Sequence, residues 1–343
     1  MIILDLESWT LASPRVMAAT ASGVYNPKAI TCFSVVALLF IAVPIVVHKP
    51  AVEFATMPSP RTPSSTPSTA KMKRWFELHK ELVKDAQRAH QVGTMSFHVY
   101  LGDSIFEHLR GTDLGNNSKN LANVTTFFSD FYAEKAEKQP LVLAISGDQT
   151  QHLLWRIQHG EISRLLSGKE ITYIMLIGTN NIRYGHSAID IAEGIWSVAK
   201  IILNRAAGHL VISNLLPRDD MYKNCVRRIT GKCDEKDPNG QIMEVNEIIS
   251  RRVHKARKDG NPVALAECGH LFSSHAHIDG RKFPEVNASL MPDLLHPSVE
   301  GYKYLLPCLH RAANSIVATK KLMKEKRQLL PQRMVPESSQ PQS

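Results

Sequence analysis

Four short stretches carry side chains able to do nucleophilic and acid–base chemistry. Gly102-Asp103-Ser104-Ile105 offers a hydroxyl on a tight turn, and Ser146-Gly147-Asp148 offers a glycine whose backbone N–H can come close to a ligand. Gly178-Thr179-Asn180-Asn181 supplies side-chain amides, and Asp293-Leu294-Leu295-His296 sets a carboxylate three residues before an imidazole. A serine hydroxyl becomes nucleophilic only beside a base, and the base needs a partner that fixes its tautomer. Ser104, His296 and Asp293 have the types for those three parts, while Gly147 and Asn180 could donate hydrogen bonds to a developing oxyanion. Taken singly, each stretch has a plainer explanation as a helix cap, a turn or a surface pair.

What raises the set above its parts is the order of the elements that must hold it. Apolar runs at 95–101, 141–145, 171–177, 209–213 and 263–266 alternate with helical patterns at about 72–91, 120–136, 150–167, 187–206, 241–258 and 298–318. Strands that are nearly all apolar, separated by helices, require a parallel sheet covered on both faces. The sequence therefore predicts an α/β fold, a doubly wound, flavodoxin-like parallel sheet of about five strands. Ligands of such sheets bind outside the carboxyl ends of the strands. Ser104, Gly147 and Asn180 each follow a different predicted strand.

On these four blocks the sequence resembles the GDSL or SGNH hydrolase superfamily. The stretch from Gly147 to Arg156, the Gly178-Thr179-Asn180-Asn181 block and Leu215-Leu216-Pro217-Arg218 look most like the catalytic subunits of the intracellular platelet-activating-factor acetylhydrolase group, over about residues 95–315. The resemblance implies a carboxylic ester hydrolase needing no cofactor or metal. Ser104 would be the nucleophile, His296 the general base and then acid, and Asp293 its orienting carboxylate. The oxyanion hole would comprise the Ser104 and Gly147 backbone N–H groups and the Asn180 amide. Short acyl esters, acetyl foremost, are the implied substrates, and homodimers are common in the group.

Three departures limit the transfer. Ser146 stands where the group has another glycine, the loop after Leu216 is longer, and an apolar segment precedes the domain. The acceptor is thus left open between an acetylated glycan and a lipid. A membrane-tethered binding module with the fold but little turnover is the alternative, since fold does not imply function.

Residues 29–47 hold no charge and approach the roughly 20 apolar residues that cross a bilayer, so they read as a single-pass transmembrane signal anchor after an N-terminal segment, 1–28. Residues 48–71 read as a Pro/Ser/Thr-rich stalk, 72–318 as the hydrolase domain, and 319–343 as a basic, solvated tail. Flanking charges tie at Arg15 and Lys28 against Lys49 and Arg61. Acceptor triplets at Asn116, Asn123 and Asn287, with Cys225 and Cys233 close enough to bridge one loop, suit a lumenal or extracellular domain.

The chain's 343 residues carry 41 Lys plus Arg against 32 Asp plus Glu, and part of that excess sits in the tail. The central domain is too nearly balanced for a nucleic-acid-binding body. His270, His275, His277 and Asp279 crowd one stretch that reads as a polar loop in preference to a metal site. The cations from Arg251 to Lys258 read as a solvated helix end, and Cys268 and Cys308 as small buried apolar residues.

Overall fold

The computed structural model describes residues 55–62, 68–91, 96–135, 137, 140–162, 170–205, 208–220, 238–278 and 281–329. The expected anchor at 29–47 and the Cys225/Cys233 loop lie outside the described residues. Among the described residues no helix is long and apolar enough to cross a membrane.

Each of the five apolar runs becomes a strand: β1 (Ser96–Gly102), β4 (Leu141–Ala144), β5 (Glu170–Leu176), β6 (His209–Ser213) and β7 (Val263–Ala266). They pair in parallel in the order β4-β1-β5-β6-β7. All of β6 is buried. Successive side chains point to opposite faces, so both faces of that strand must be covered. The crossover helices do the covering. Helix α6 (Ala188–Arg205) packs against α4 (Thr150–Arg156) and α7 (Pro238–Lys258), while α8 (Val299–Leu329) lies along β6 and β7 and meets α3 (Ala122–Ala133).

The leading helix, α1 (Thr69–Gln91), shows how pattern becomes packing. Trp75, Leu78, Leu82 and Ala86 recur at spacings of three and four and are all buried. Each fully buried leucine on such a stripe is worth about 1.5–3 kcal/mol.

The order β4-β1-β5 reverses at β1, the first strand in sequence. That reversal makes the topological switch point at which doubly wound sheets open a crevice. The turns after β1, β4 and β5 therefore converge on one place, which explains why three of the four chemical blocks sit there.

Two features correct the expectations from sequence. The Pro/Ser/Thr tract is not a solvated spacer throughout, because residues 55–62 pack back on the domain with Ala55 and Arg61 buried. Thr150 Oγ1 donates to the Ala55 carbonyl at 2.9 Å, and the Ser59 N–H donates to the Gln151 carbonyl at 3.3 Å. The tract lacks apolar bulk, yet Arg61 carries a charge that a buried carboxylate, Asp148, can hold. The folded body thus extends upstream of residue 72.

The second correction concerns 270–286. Strands β8 (Ser273–Ile278) and β9 (Arg281–Val286) form an antiparallel hairpin in place of the expected polar loop, and His275 and His277 fall on β8. A smaller ribbon joins β2 (Thr112–Asp113) to β3 (Asn116–Asn117). Helix α8 also runs to Leu329, beyond the expected limit of 318.

Candidate active site

Ser104 opens the four-residue helix α2 (Ser104–Glu107) directly after β1, and its side chain is almost fully buried. Asp103 caps that helix, its Oδ1 accepting the Ile105 N–H at 3.1 Å. Placing an Asx cap before the serine satisfies an amide that the helix leaves orphaned. The price is a buried carboxyl group: burial pushes Asp103 up to about 7, and its Oδ2 has no hydrogen-bond partner among the described residues.

The loop before α8 brings the other chemical block across the crevice. Ser104 Oγ lies 2.9 Å from His296 Nε2, and His296 Nδ1 lies 2.6 Å from Asp293 Oδ2. Asp293 Oδ1 also accepts the backbone N–H groups of His296 at 2.7 Å and Leu295 at 3.0 Å. Partial burial opposes ionisation of Asp293. The hydrogen bonds from the His296 ring and from the two backbone groups outweigh it and hold the carboxyl well below the usual range. Leu294 completes this tight turn at φ 66°, a left-handed conformation that costs a non-glycine residue about 1–2 kcal/mol. Its carbonyl accepts the Asp219 N–H at 3.0 Å.

Gly147 and Asn180 face the same crevice from the neighbouring strands. Gly147 follows β4 with φ 81°, where a Cβ would lie 2.9 Å from Arg61 Nη2, so both conformation and space call for glycine. Asn180 lies in α5 (Thr179–Arg183) after β5, and its amide donates to the Asp148 carbonyl at 2.9 Å. One amide hydrogen is so used and one remains for a ligand. None of the described residues accepts a hydrogen bond from the Ser104 or Gly147 backbone N–H. Thus the structure brings all five expected residues to the switch point, with Ser104, His296 and Asp293 in direct hydrogen-bonded sequence.

The supporting residues were only partly visible in sequence. Asp148 is fully buried, accepting from Trp75 Nε1 at 2.7 Å, Arg156 Nε at 2.7 Å and Arg61 Nε at 3.2 Å. Arg61 Nη2 also donates to the Ser146 carbonyl, and Arg156 Nη1 donates to Glu161. Arg218, also fully buried, donates to the Thr179 carbonyl at 2.5 Å and grips Asp220 with bonds of 2.8 and 2.9 Å. It thereby pins the turn that presents Asn180. Asn181 joins that turn to the β4 turn, its Oδ1 accepting the Thr150 N–H at 2.9 Å.

His108 is a residue that sequence reasoning missed. Its ring centre lies 4.8 Å from that of His296, and burial, then the proximity of His296, lowers its pKa to about 4. A neutral imidazole packs there without adding charge beside the base. Nothing in its Glu107-His108-Leu109 context marks it out, because the contact depends on the distant 293–296 loop.

Parallel-sheet topology, a serine at the end of the first strand and the paired Asp293/His296 loop agree with what the resemblance to the GDSL/SGNH hydrolase superfamily implies. The similarity is to the platelet-activating factor acetylhydrolase IB subunits. The chain is 24% identical over 235 residues to the subunit beta homolog of Drosophila melanogaster, covering 68% of this chain and 88% of that protein. It is 27% identical over 242 residues to the human subunit alpha1, covering 69% and 81% respectively. No family model matches the chain. Among solved structures, a GDSL-like lipase from Bacteroides thetaiotaomicron aligns with TM-score 0.46 at 16% identity, covering 68% of this chain and 97% of the lipase.

Proposed function

We propose that this protein is a serine esterase that cleaves short acyl esters, acetyl foremost, with Ser104 as nucleophile. The coarser statement, that it is a carboxylic ester hydrolase, is supported by its similarity to acetylhydrolase subunits. The observation that supports Ser104 as nucleophile is the unbroken line from Ser104 Oγ through His296 to Asp293, at 2.9 and 2.6 Å, while the preference for acetyl rests on the similarity to acetylhydrolase subunits.

In this reading His296 Nε2 takes the Ser104 proton as Oγ bonds to the ester carbonyl carbon, and Asp293 holds the Nδ1 proton and stabilises the imidazolium. The carbonyl oxygen becomes an oxyanion, held by the Ser104 and Gly147 N–H groups and the Asn180 amide. Collapse breaks the carbon–oxygen bond to the alcohol, which leaves with the proton from His296. Water, deprotonated by the same imidazole, then releases the acid from Ser104 and restores the enzyme.

The test is hydrolysis of p-nitrophenyl acetate, butyrate and octanoate by wild-type and Ser104→Ala protein, beside covalent labelling by a fluorophosphonate. Activity that falls with chain length and vanishes with the serine, together with labelling at Ser104, is the expected result. Folded wild-type protein that neither turns over nor labels at Ser104 would refute the reading.

We further propose that the domain faces an oxidising compartment. Cys268 and Cys308 form a disulfide, where free buried thiols were expected, and disulfides persist mainly in secretory and extracellular settings. Two of the acceptor asparagines, Asn116 and Asn123, are exposed, and Asn287 is half-buried. Glycosidase treatment of protein from its native source tests this: a mobility shift is expected, and none, in protein whose cysteines are also found reduced, would refute the placement.

A further inference from the structure

Toward the end of β1 away from Ser104, three side chains able to ligate a metal come together from separate parts of the chain. His98 lies on β1, Glu137 lies just past α3 on the way to β4, and His310 lies on α8. One ring nitrogen of each histidine and one Glu137 oxygen all fall within 4.8 Å of one another. The His98 and His310 rings stand 5.6 Å apart between centres at an angle of 74°, and His310 Nε2 is 2.8 Å from Glu137 Oε1. None of the three belongs to the Ser104 site.

An ordinary hydrogen-bonded pair would need only His310 and Glu137, so the second imidazole has to be explained. His98 and Tyr100 point to the same face of β1, and both lead to Tyr132. His98 Nδ1 lies 2.9 Å from Tyr132 Oη, which in turn lies 2.7 Å from Tyr100 Oη. The hydroxyl therefore fixes the His98 ring and leaves Nε2 for a ligand. On α8, Asn314 places its side-chain amide 3.2 Å from His310 Nδ1, which leaves Nε2 directed at Glu137. Metal-binding histidines are held in this way, one nitrogen on a neighbour and the other on the ion. His310 is buried, whereas Glu137 keeps 35% of its side chain exposed, which gives an ion its path in and a water its place.

We propose that His98, Glu137 and His310 bind a zinc ion, with water as the fourth ligand, and that the ion clamps α8 and the segment after α3 to β1. Two imidazoles and a carboxylate suit zinc, whereas calcium and magnesium take oxygen ligands. Bonds of about 2.0–2.2 Å at the tetrahedral angle set ligand atoms roughly 3.4 Å apart. The 2.8 Å contact therefore opens, and the wider separations close by little more than an ångström. Glu137 lies outside any helix or strand, so its side chain can make that movement. Coordination releases to solvent the proton that His310 Nε2 shares with Glu137.

Metal analysis of the full chain, prepared without a histidine tag, tests this. Protein stripped by chelator and then dialysed against zinc should retain about one zinc ion per chain, and calcium or magnesium should not displace it. Zinc-edge X-ray absorption of that protein should show two imidazoles and no sulfur. Zinc at about a hundred times its Kd should raise the Tm by about 5 °C or more. His98→Gln and Glu137→Gln, each checked for fold by circular dichroism, should weaken zinc binding by at least about tenfold. The variant His270→Gln/His275→Gln/His277→Gln, which removes another group of histidines, should bind zinc as wild type does. Folded wild type that retains no zinc, or an absorption edge showing sulfur or fewer than two imidazoles, would overturn the proposal without any variant. Affinity that survives both ligand substitutions, or that is lost in the His270/His275/His277 variant, would overturn it too, because the ion would then sit elsewhere. A Tm that zinc leaves unmoved would refute the clamp.

Discussion

In the proposed reading Asn180 has two tasks, and Asn180→Ala removes both at once, so labelling at Ser104 is the readout that tells a missing donor from a collapsed site. One amide hydrogen ties the β5 turn to the Asp148 carbonyl, and the other remains for a ligand. Asn180→Ala should lower kcat by about 10²–10³, the usual loss for one oxyanion-hole donor. The same substitution should leave fluorophosphonate labelling at Ser104 detectable, since Ser104 and His296 keep their own bond. Labelling lost in step with kcat would indicate a collapsed site and not a missing donor. Asp103 makes a different prediction, about pH. Its folded pKa of about 7 lies above the usual ~3.9, so the folded state holds the proton more tightly than the unfolded one. The stability this brings is present below about pH 4 and is lost as pH rises through 7. Asp103→Asn keeps an oxygen for the Ile105 N–H but removes the titration. The variant's Tm relative to wild type should therefore be higher at pH 8 than at pH 5. A gap that does not move with pH would mean that the carboxyl ionises normally.

At the scale of elements, the site depends on how turns are clamped to one another. Arg218 follows β6, yet its guanidinium bonds the Thr179 carbonyl and hydroxyl, one strand away. Arg218→Lys keeps the charge and loses the fork that holds Asp220 and Thr179 together. We expect kcat to fall by about a hundredfold, as for a displacement of a catalytic group by an ångström, with KM for a neutral ester nearly unchanged. Rates equal to wild type would show that the turn holds Asn180 unaided. The five strands and the turns that follow three of them could be read directly from sequence, because a strand buried on both faces must be apolar and the turn after it cannot be. The hairpin at 273–286 could not, since the alternation in its His-rich strand spans only His275 to Ile278 and its partner strand holds Pro284. The contact of His108 with His296 was equally hidden. Asp148 and Arg156 lay within a stretch singled out as a family signature, but that they form an ion pair sits in the fold and not in the spacing.

For the whole molecule, the upstream tract shows how charge overrides composition. Proline, serine and threonine predict a solvated spacer, and 55–62 departs from it because Arg61 closes on Asp148 and the Ser146 carbonyl. Arg61→Ala in the full chain leaves Asp148 with Arg156 and Trp75, so the cost should be about 1–3 kcal/mol, that of one charged hydrogen-bonding partner lost. A urea midpoint that falls measures it, and an unchanged midpoint would return the tract to the status of a linker.

The disulfide between Cys268 and Cys308 joins the segment after β7 to the buried side of α8, closing a separation of 40 residues. It therefore ties the last strand of the sheet to the helix that follows the Asp293/His296 loop, and that loop lies inside the closed ring. A loop of this length loses chain entropy worth about 4 kcal/mol in the unfolded state when cross-linked. The Cys268→Ala/Cys308→Ala protein, or wild type unfolded in reductant, should lose stability of about that size in a urea titration. The slope with urea should also rise, because the unlinked chain exposes more surface on unfolding. The esterase rate in native buffer should hold, since neither sulfur touches Ser104, His296 or Asp293. Identical unfolding with and without reductant would mean that the two thiols are free in the folded protein, and the argument for an oxidising compartment would then rest on the exposed acceptor asparagines alone.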